Sequence, residues 1–359
     1  MTYFSLIPVN KLLKFHENLF LHASQNDLSS LYYIFFRISG LFVMRRRARN
    51  DAYGRTSLFD FLGTFREPED AVQFALKRGL LKGSVPCVDC RSSHRVSLHR
   101  NSDSPDGFAF QCLNCNKHFS VRHGTFFSRS RLSISDILTI ILAFTNDHSL
   151  QQTRELTGLC TPAISYWYSF CRKVCAHALN KNLVLGGPGI KVEISDTIMF
   201  ERKSHQVTNA VEYRFLGGYC VEQKRGFLAS IETRDKVAMM SLLNMYIAPG
   251  SMIRGAASIK YRDLPYDEFP YHIDIDSENS RRPEQNLGSP GVASFWSAVL
   301  RRVRFTQDFQ GTHTVQRVIE AVYKHNFRFN SRMSFHKRFS LFLDHMHDFC
   351  SANKTDECG

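Results

Sequence analysis

The chain has 359 residues and carries 46 Lys and Arg against 33 Asp and Glu, a formal net charge of +13. Hydrophobic residues make up 43% and charged residues 22%, which excludes wholesale disorder and collagen-like repetition and leaves room for two or three domains. Ten cysteines are far too few for a small disulfide scaffold, so we expect thiols or metal ligands in a cytosolic or nuclear protein.

Residues 1–60 are rich in aromatic side chains and predict an N-terminal helical extension. The longest apolar stretch, Leu31 to Met44, is interrupted by Arg37 and is shorter than the roughly 20 residues that span a bilayer. We therefore expect a buried amphipathic helix, with neither a membrane span nor a secretion signal. An arginine cluster follows directly: Arg45, Arg46, Arg47 and Arg49. It fits a nuclear-import or phosphate-binding patch and an ordinary solvated surface equally well.

Residues 61–131 predict a helix followed by a zinc ribbon. The segment 67–81 begins with acidic and ends with basic residues, as the helix dipole favours. Two CxxC pairs follow, with 21 residues between them: Cys87, Cys90, Cys112 and Cys115. This spacing predicts four thiolates around one structural Zn²⁺, and short strands at 95–100 and 107–112 predict a hairpin that carries the second pair. Four unrelated buried cysteines are the alternative.

The predicted ribbon is basic, because the segment from Pro86 to Arg131 holds seven Lys and Arg against three Asp. Such a charge favours a surface that faces nucleic-acid phosphates over pure scaffolding. Arg122 and Arg129 are the candidate phosphate contacts within it.

Residues 132–182 predict three helices with helix-turn-helix spacing. The first is apolar, the second is capped by Ser149 and ends at Gly158, and the third opens with Thr161 as its N-cap and Pro162 at its first helical position. In helix-turn-helix proteins the last helix enters the major groove of DNA. A plain three-helix bundle would show the same pattern.

The third helix has two distinct faces. One is an apolar stripe formed by Ile164, Trp167, Cys171 and Val174. The opposite face is polar and holds Ser165, Tyr166, Ser169, Arg172 and Lys173. We predict that the two serines and the tyrosine face bases and that the two cationic side chains contact phosphate.

Residues 186–310 show a mixed α/β pattern of three strands, a helix, two further strands and a helix. That order is typical of a ribonuclease-H-like domain. The final segment, 311–359, predicts a basic, aromatic, helical tail, since residues 301–340 hold nine Lys and Arg against two acids. Such a stretch either follows a nucleic-acid backbone or forms amphipathic helices whose aromatic side chains pack inward.

Several segments resemble, in the right order, the Merlin superfamily of DNA transposases and the related bacterial insertion-sequence transposases. They span about two thirds of the chain: Arg78 to Leu81, both CxxC pairs, Phe119 to Phe127, Trp167, Val192 to Ile194, Phe215 to Tyr219, Pro249 to Ile253, Tyr261, Pro283-Glu284 and Ser294 to Trp296. The resemblance implies a DDE-type transposase: a zinc ribbon and helix-turn-helix before a ribonuclease-H-like domain. It also implies DNA strand transfer by three carboxylates that hold two Mg²⁺ or Mn²⁺ ions.

At all three carboxylate positions this chain carries another residue, namely Ser195, Ala256 and Ala293. Nearby acids offer substitutes: Asp196, Asp274 and Asp276. Asp196 should point to the opposite strand face from Ser195 unless a bulge re-aims it. No acid lies between Asp235 and Asp263, so none close in sequence can replace the carboxylate missing at Ala256.

The sequence therefore predicts a transposase-derived DNA-binding protein of the nucleus, with structural Zn²⁺ and without strand-transfer activity. A homo-oligomer is left open, and no membrane partner is expected. Two alternatives stand beside this reading. One is an active Mg²⁺- or Mn²⁺-dependent transposase that uses the shifted acids, and the other is a protein-interaction module on an inactive scaffold whose basic patches are incidental.

Overall fold

The computed structural model describes residues 58–92, 95–202, 211–231, 236–256, 272–276, 290–305 and 314–352. All of the described residues belong to one unit, Leu58–Gly359. The predictions for the apolar helix at 31–44 and the arginine cluster after it lie outside the described residues. Among the described helices, none is both long and apolar enough to cross a membrane.

The described part of the chain is a mixed α/β structure with nine α-helices and two β-sheets. This confirms the predicted α/β class. The finer domain boundaries, at 60/61, 131/132, 182/186 and 310/311, stay predictions.

A helical segment and a small antiparallel sheet come first. Their elements are α1 (Leu58–Leu62), a 3-10 turn (Gly63–Phe65), α2 (Pro68–Lys77), β1 (Val96–Arg100), β2 (Phe108–Cys112) and β3 (His118–Ser120). The predicted hairpin is present, with Val96 opposite Cys112, and β3 adds a third strand beside β2. Helix α2 ends four residues before the predicted Leu81, because Gly79 adopts a left-handed φ of +67° that an α-helix does not tolerate.

The three predicted helices follow as α3 (Ile134–Thr145), α4 (Leu150–Thr157) and α5 (Thr161–Asn182). Ser149 and Gln152 form a reciprocal capping box at the start of α4, and Gly158 ends it in the left-handed region. The prediction of Thr161 as the N-cap of α5 is wrong, since Cys160 holds the cap position. Pro162 therefore occupies the second helical position and not the predicted first, and its fixed φ suits either one.

A five-stranded sheet forms the second half of the described chain. Its elements are β4 (Lys191–Arg202), β5 (Val211–Cys220), β6 (Arg225–Ser230), α6 (Lys236–Tyr246), β7 (Met252–Ala256), β8 (His272–Asp276) and α7 (Pro290–Phe305). The spatial order is β6-β5-β4-β7-β8, antiparallel from β6 to β4 and parallel from β4 to β8. Helix α7 packs on β5 and β4, where Gly217 admits the Trp296 ring: a Cβ there would lie 2.6 Å from it.

The last two helices are α8 (Thr314–Asn326) and α9 (Phe335–Ala352). Helix α8 packs against α5, α7 and β6, and α9 packs against α5 and α3. Aromatic side chains of these helices and of the turn between them are buried in the common core: Tyr323, Phe329, Phe339 and Phe342. Of the two predictions for this segment, amphipathic helices with inward aromatics describe the observed packing.

A buried ammonium group joins the last helices to the first ones. Lys324 in α8 is 1% exposed, and its Nζ donates hydrogen bonds to Phe144 O (2.8 Å), Asp147 Oδ1 (2.8 Å) and Glu320 Oε1 (2.7 Å). Its three protons thus meet three acceptors, which offsets the cost of burying a charge. Asp147 lies in the turn between α3 and α4, so this one side chain connects α8 to that turn.

Two arginines complete the ion network around Lys324. Arg172 Nε in α5 donates to Glu320 Oε2 at 3.0 Å, and Arg302 Nη1 in α7 donates to Asp147 Oδ2 at 2.6 Å. Burial alone would raise the pKa of both carboxyl groups, but the neighbouring cations hold the pKa of Glu320 and of Asp147 below their usual values. Both acids therefore carry a negative charge at neutral pH, and four elements are joined through one charged cluster.

Replacing Lys324 by Met should lower the free energy of unfolding by about 3–5 kcal/mol, because buried Glu320 and partly buried Asp147 lose the cation that they share. Urea denaturation of the full chain measures this. The matched control is Lys181→Met, which removes an exposed pair to Asp348 and should cost below about 1 kcal/mol. Equal losses for the two variants would show that the buried network does not stabilise the fold.

Candidate metal centre and the surface beside it

Four cysteine sulfurs converge at one end of the small sheet. The Sγ atoms of Cys87, Cys90, Cys112 and Cys115 all lie within 4.8 Å of one another. The shortest separations are 3.5 Å, from Cys87 to Cys115 and from Cys90 to Cys112. In a tetrahedral site with Zn–S bonds of about 2.3 Å, sulfurs stand about 3.8 Å apart. The arrangement is therefore compatible with Zn²⁺, and among the described residues it is the one cluster of three or more metal-ligating side chains.

The same backbone turn builds both halves of the site. The amide of Cys87 donates to Ser92 O and the amide of Cys112 donates to Lys117 O, each at 2.9 Å. The residue after the second cysteine of each pair is left-handed: Arg91 at φ +56° and Asn116 at φ +57°. Each CxxC pair thus forms a knuckle that directs two sulfurs at the same point.

The thiols differ in how readily they ionise. A hydrogen bond from Asn114 Nδ2 to Cys90 Sγ (3.5 Å) lowers the pKa of Cys90 to about 6. The Lys117 amide also favours the Cys115 thiolate, but burial and the neighbouring sulfurs outweigh it and raise the pKa of Cys115 to about 12. Four adjacent thiolates therefore require a cation, and Zn²⁺ would supply the compensating charge.

Arg122 is not available as a phosphate contact, which corrects the prediction from sequence. Its side chain is 3% exposed and forms a bidentate ion pair with Asp106, with N···O distances of 2.5 and 2.6 Å. Its Nη1 donates to Ser130 O at 2.8 Å, and Asp106 accepts a further bond from the Ile134 amide. Because Ile134 begins α3, this pair fixes the ribbon to the three-helix segment. Arg129, the second candidate in this segment, is exposed.

Arg172 is also buried, at 9% exposure, and its guanidinium pairs with Glu320. The prediction that Arg172 contacts phosphate is therefore wrong, as it is for Arg122, whereas the neighbouring Lys173 is exposed. One residue along an α-helix turns the side chain by about 100°, enough to move it from core to solvent. No sequence signal separated the two, since the partner of Arg172 is 148 residues away.

The outer face of α5 keeps the remaining predicted DNA-binding residues. Tyr166 is 54% exposed, Lys173 is exposed, and Ser165 and Ser169 are partly exposed. Tyr166, Ser169 and Lys173 follow one another at i, i+3 and i+7, so they form one stripe. The predicted apolar stripe on the opposite face is confirmed, because Ile164, Trp167, Cys171 and Val174 are all buried.

The positions of the missing carboxylates lie on two neighbouring strands of the five-stranded sheet, β4 and β7, and on helix α7, which packs on β4. Ile194 pairs with Gly255, so Ser195 and Ala256 come next on neighbouring parallel strands. Ser195 is 2% exposed, and partly buried Ala293 lies in the first turn of α7. Glu193 fixes that turn, because its Oε2 accepts a hydrogen bond from the Val292 amide at 2.8 Å.

For the acids predicted as substitutes, the structure describes the backbone and not the side chains. Asp274 pairs with Arg254 and Asp276 with Ala256, while Asp196 pairs with Leu216 in β5. The side chains of Asp196, Ala256, Asp274 and Asp276 lie outside the described part of the structure, so their role as ligands stays a prediction. Sequence analysis predicted no role for Glu193 at the start of α7, because the two are 99 residues apart; an acid at a helix N-terminus is a general stabilising arrangement.

No family model matches the chain. A relative is the Male abnormal protein mab-31 of Caenorhabditis elegans, which is 26% identical over 164 residues, 40% of this chain. The match spans 38% of that protein's own length, and its name states no molecular activity. The resemblance to the Merlin superfamily therefore stays a prediction.

The purified full chain should contain about one Zn²⁺, and Cys112→Ser should reduce the content to well below half an equivalent, because a structural site needs all four thiolates. Elemental analysis measures the metal. Cys160→Ser is the matched control, since this exposed thiol lies outside the cluster and its loss should leave the content unchanged. A metal-free wild-type chain with an intact ribbon would contradict the zinc assignment.

Proposed function

We propose that this chain is a transposase-derived, DNA-binding protein of the nucleus that no longer transfers DNA strands. It combines a structural zinc ribbon, a helix-turn-helix and a ribonuclease-H-like domain. The observation that carries the proposal is the outer stripe of α5: an exposed aromatic, polar and cationic surface on a helix of 22 residues without a single Asp or Glu.

The absence of acids on α5 matters because a phosphate backbone repels carboxylates along the whole groove that a recognition helix occupies. Helix α5 also has the geometry that this role needs. It follows the short helix α4 after a tight turn at Gly158, and its inner face is held by α3, α8 and α9. Its N-terminal half presents exposed Tyr166 with partly exposed Ser165 and Ser169, which suits insertion into a major groove.

The architecture of the second half supports a transposase origin. Three antiparallel strands, a helix, two parallel strands and a closing helix follow one another in the order expected for a ribonuclease-H-like domain. The positions where the resemblance places metal-binding carboxylates lie within β4, at the end of the neighbouring parallel strand β7 and in the first turn of α7, which packs on β4. Here they hold a hydroxyl and two methyl groups, which are poor ligands for Mg²⁺ or Mn²⁺.

The zinc-loaded full chain should bind duplex DNA with an affinity that falls steeply with salt, because each phosphate contact releases a counterion. Lys173→Gln should reduce the slope of log affinity against log salt by about 1. Lys181→Gln on the same helix is the control, since that side chain pairs with Asp348 at the far end. Fluorescence anisotropy between low and physiological salt measures both. Salt-independent binding would instead favour a protein-interaction module.

A plasmid-nicking assay with Mn²⁺ tests the loss of strand-transfer chemistry. We expect no metal-dependent cleavage, because two hard cations are not held without ionised oxygen ligands. Cleavage that Asp196→Ala or Asp276→Ala abolishes would contradict the proposal and establish an active enzyme with shifted acids.

Imaging of the tagged full chain checks the compartment. We expect the signal in the nucleus, and a signal excluded from the nucleus would contradict that part of the proposal.

A further inference from the structure

Two apolar side chains project into solvent from the zinc knuckles. Leu113 is 61% exposed and Val88 is 44% exposed. Each directly follows the first cysteine of its knuckle, so the two occupy equivalent places in the two turns. A single exposed leucine needs no explanation, but an apolar residue at the same point of both metal-binding turns forms a defined feature. These residues, with Arg91 and Arg95, are called the knuckle tip below.

The knuckle tip is rigid. The Leu113 amide donates to Arg95 O at 2.7 Å, and the amides of both first cysteines are bonded within their turns. The four sulfurs next to these residues converge on one point. Leu113 is therefore presented on a fixed platform, and little conformational entropy is lost when it enters a partner.

Positive charge surrounds these apolar groups. Arg91 and Arg95 are both exposed, and neither forms an ion pair with another described side chain. The acid inside the first knuckle, Asp89, is neutralised by Lys117 at 3.3 Å. An apolar point inside a cationic rim is complementary to a nucleic acid, which offers apolar base faces behind a row of phosphates.

The solvent face of the small sheet continues this surface without an acidic residue. Strand residues alternate between faces, and the register places buried Ala109 and five polar side chains on the face away from the buried phenylalanines: Ser97, His99, Gln111, His118 and Ser120. His118 Nδ1 lies 3.0 Å from His99 Nε2, so the two rings form a hydrogen-bonded pair. A polar surface without carboxylates can lie against phosphates next to the tip.

We propose that the knuckle tip is a second DNA contact, in which Leu113 enters the minor groove and wedges between neighbouring base pairs while Arg91 and Arg95 contact the flanking phosphates. This inference rests on the DNA binding proposed above. Apolar wedges of this kind unstack a base step and kink the duplex. The ribbon would then bend the DNA that α5 holds.

Ring closure of a linear DNA fragment of about 120 base pairs tests this, because such a fragment is shorter than the persistence length and seldom closes unaided. Zinc-loaded full chain should raise the rate of ligase-catalysed closure about tenfold, as a kink of tens of degrees does. Leu113→Ser should return the rate to nearly the unassisted value, while its affinity for the same fragment, measured by anisotropy, falls no more than about threefold.

Val237→Ser is the control: this side chain is 74% exposed on α6, and its loss should change neither closure nor affinity. Zinc content verifies that each variant keeps the ribbon. Tight binding by the wild type without faster closure overturns the wedge and leaves the proposed DNA binding intact. If Leu113→Ser does not slow ring closure, the wedge is also overturned, and that result would favour a protein as the partner of the knuckle tip. Failure to bind the fragment at all overturns the proposed function itself.

Discussion

The buried ammonium of Lys324 is the constraint on which the described unit depends. A charge that is 1% exposed is tolerated only when every proton has an acceptor, and these acceptors come from α3, from the turn after it and from α8 itself. The fold must therefore bring sequence-distant segments to one point. Helix α5 is held on its inner side by α8 and α9, and its outer stripe stays exposed to solvent.

The cationic side chains of the described residues thus fall into two groups with different roles. Lys324, Arg172 and Arg122 are buried, each forms an ion pair with a buried carboxylate, and their ion pairs connect segments of the fold. Lys173 and the arginines of the knuckle tip are exposed, and they carry the proposed interaction with phosphate. Composition alone overstates the charge available for binding, since a buried cation with a paired acid adds nothing to the surface field.

Local chemistry explains what the sequence could predict. The CxxC spacing, the Ser149 cap, the Gly158 terminus and the order of strands are set by residues close in sequence, and the structure contains each of them. The failures involve long-range partners. The residues around Arg122 do not predict its buried bidentate ion pair with Asp106. Asp106 itself has the sequence context of an ordinary turn residue. Likewise, Lys324 looks like part of a basic tail until Asp147 is known to face it.

At the end of the large sheet, one acid has a structural role that the resemblance to transposases does not supply. The Glu193 carboxylate holds the first turn of α7, close to buried Ser195, through a hydrogen bond to the Val292 amide. The scaffold at this place is therefore joined by protein contacts that need no metal ion. A helix fixed in this way does not depend on metal-binding acids, which is compatible with the proposed DNA-binding protein without strand-transfer activity.

Lysine acetylation of the full chain, quantified residue by residue by mass spectrometry with and without duplex DNA, tests the division of cations most directly. The account predicts that Lys324 does not react in either state, that Lys173 reacts in the free protein and is protected on DNA, and that Lys181 reacts in both. Modification of Lys324 in the folded protein, or protection of Lys181 in place of Lys173, would contradict it.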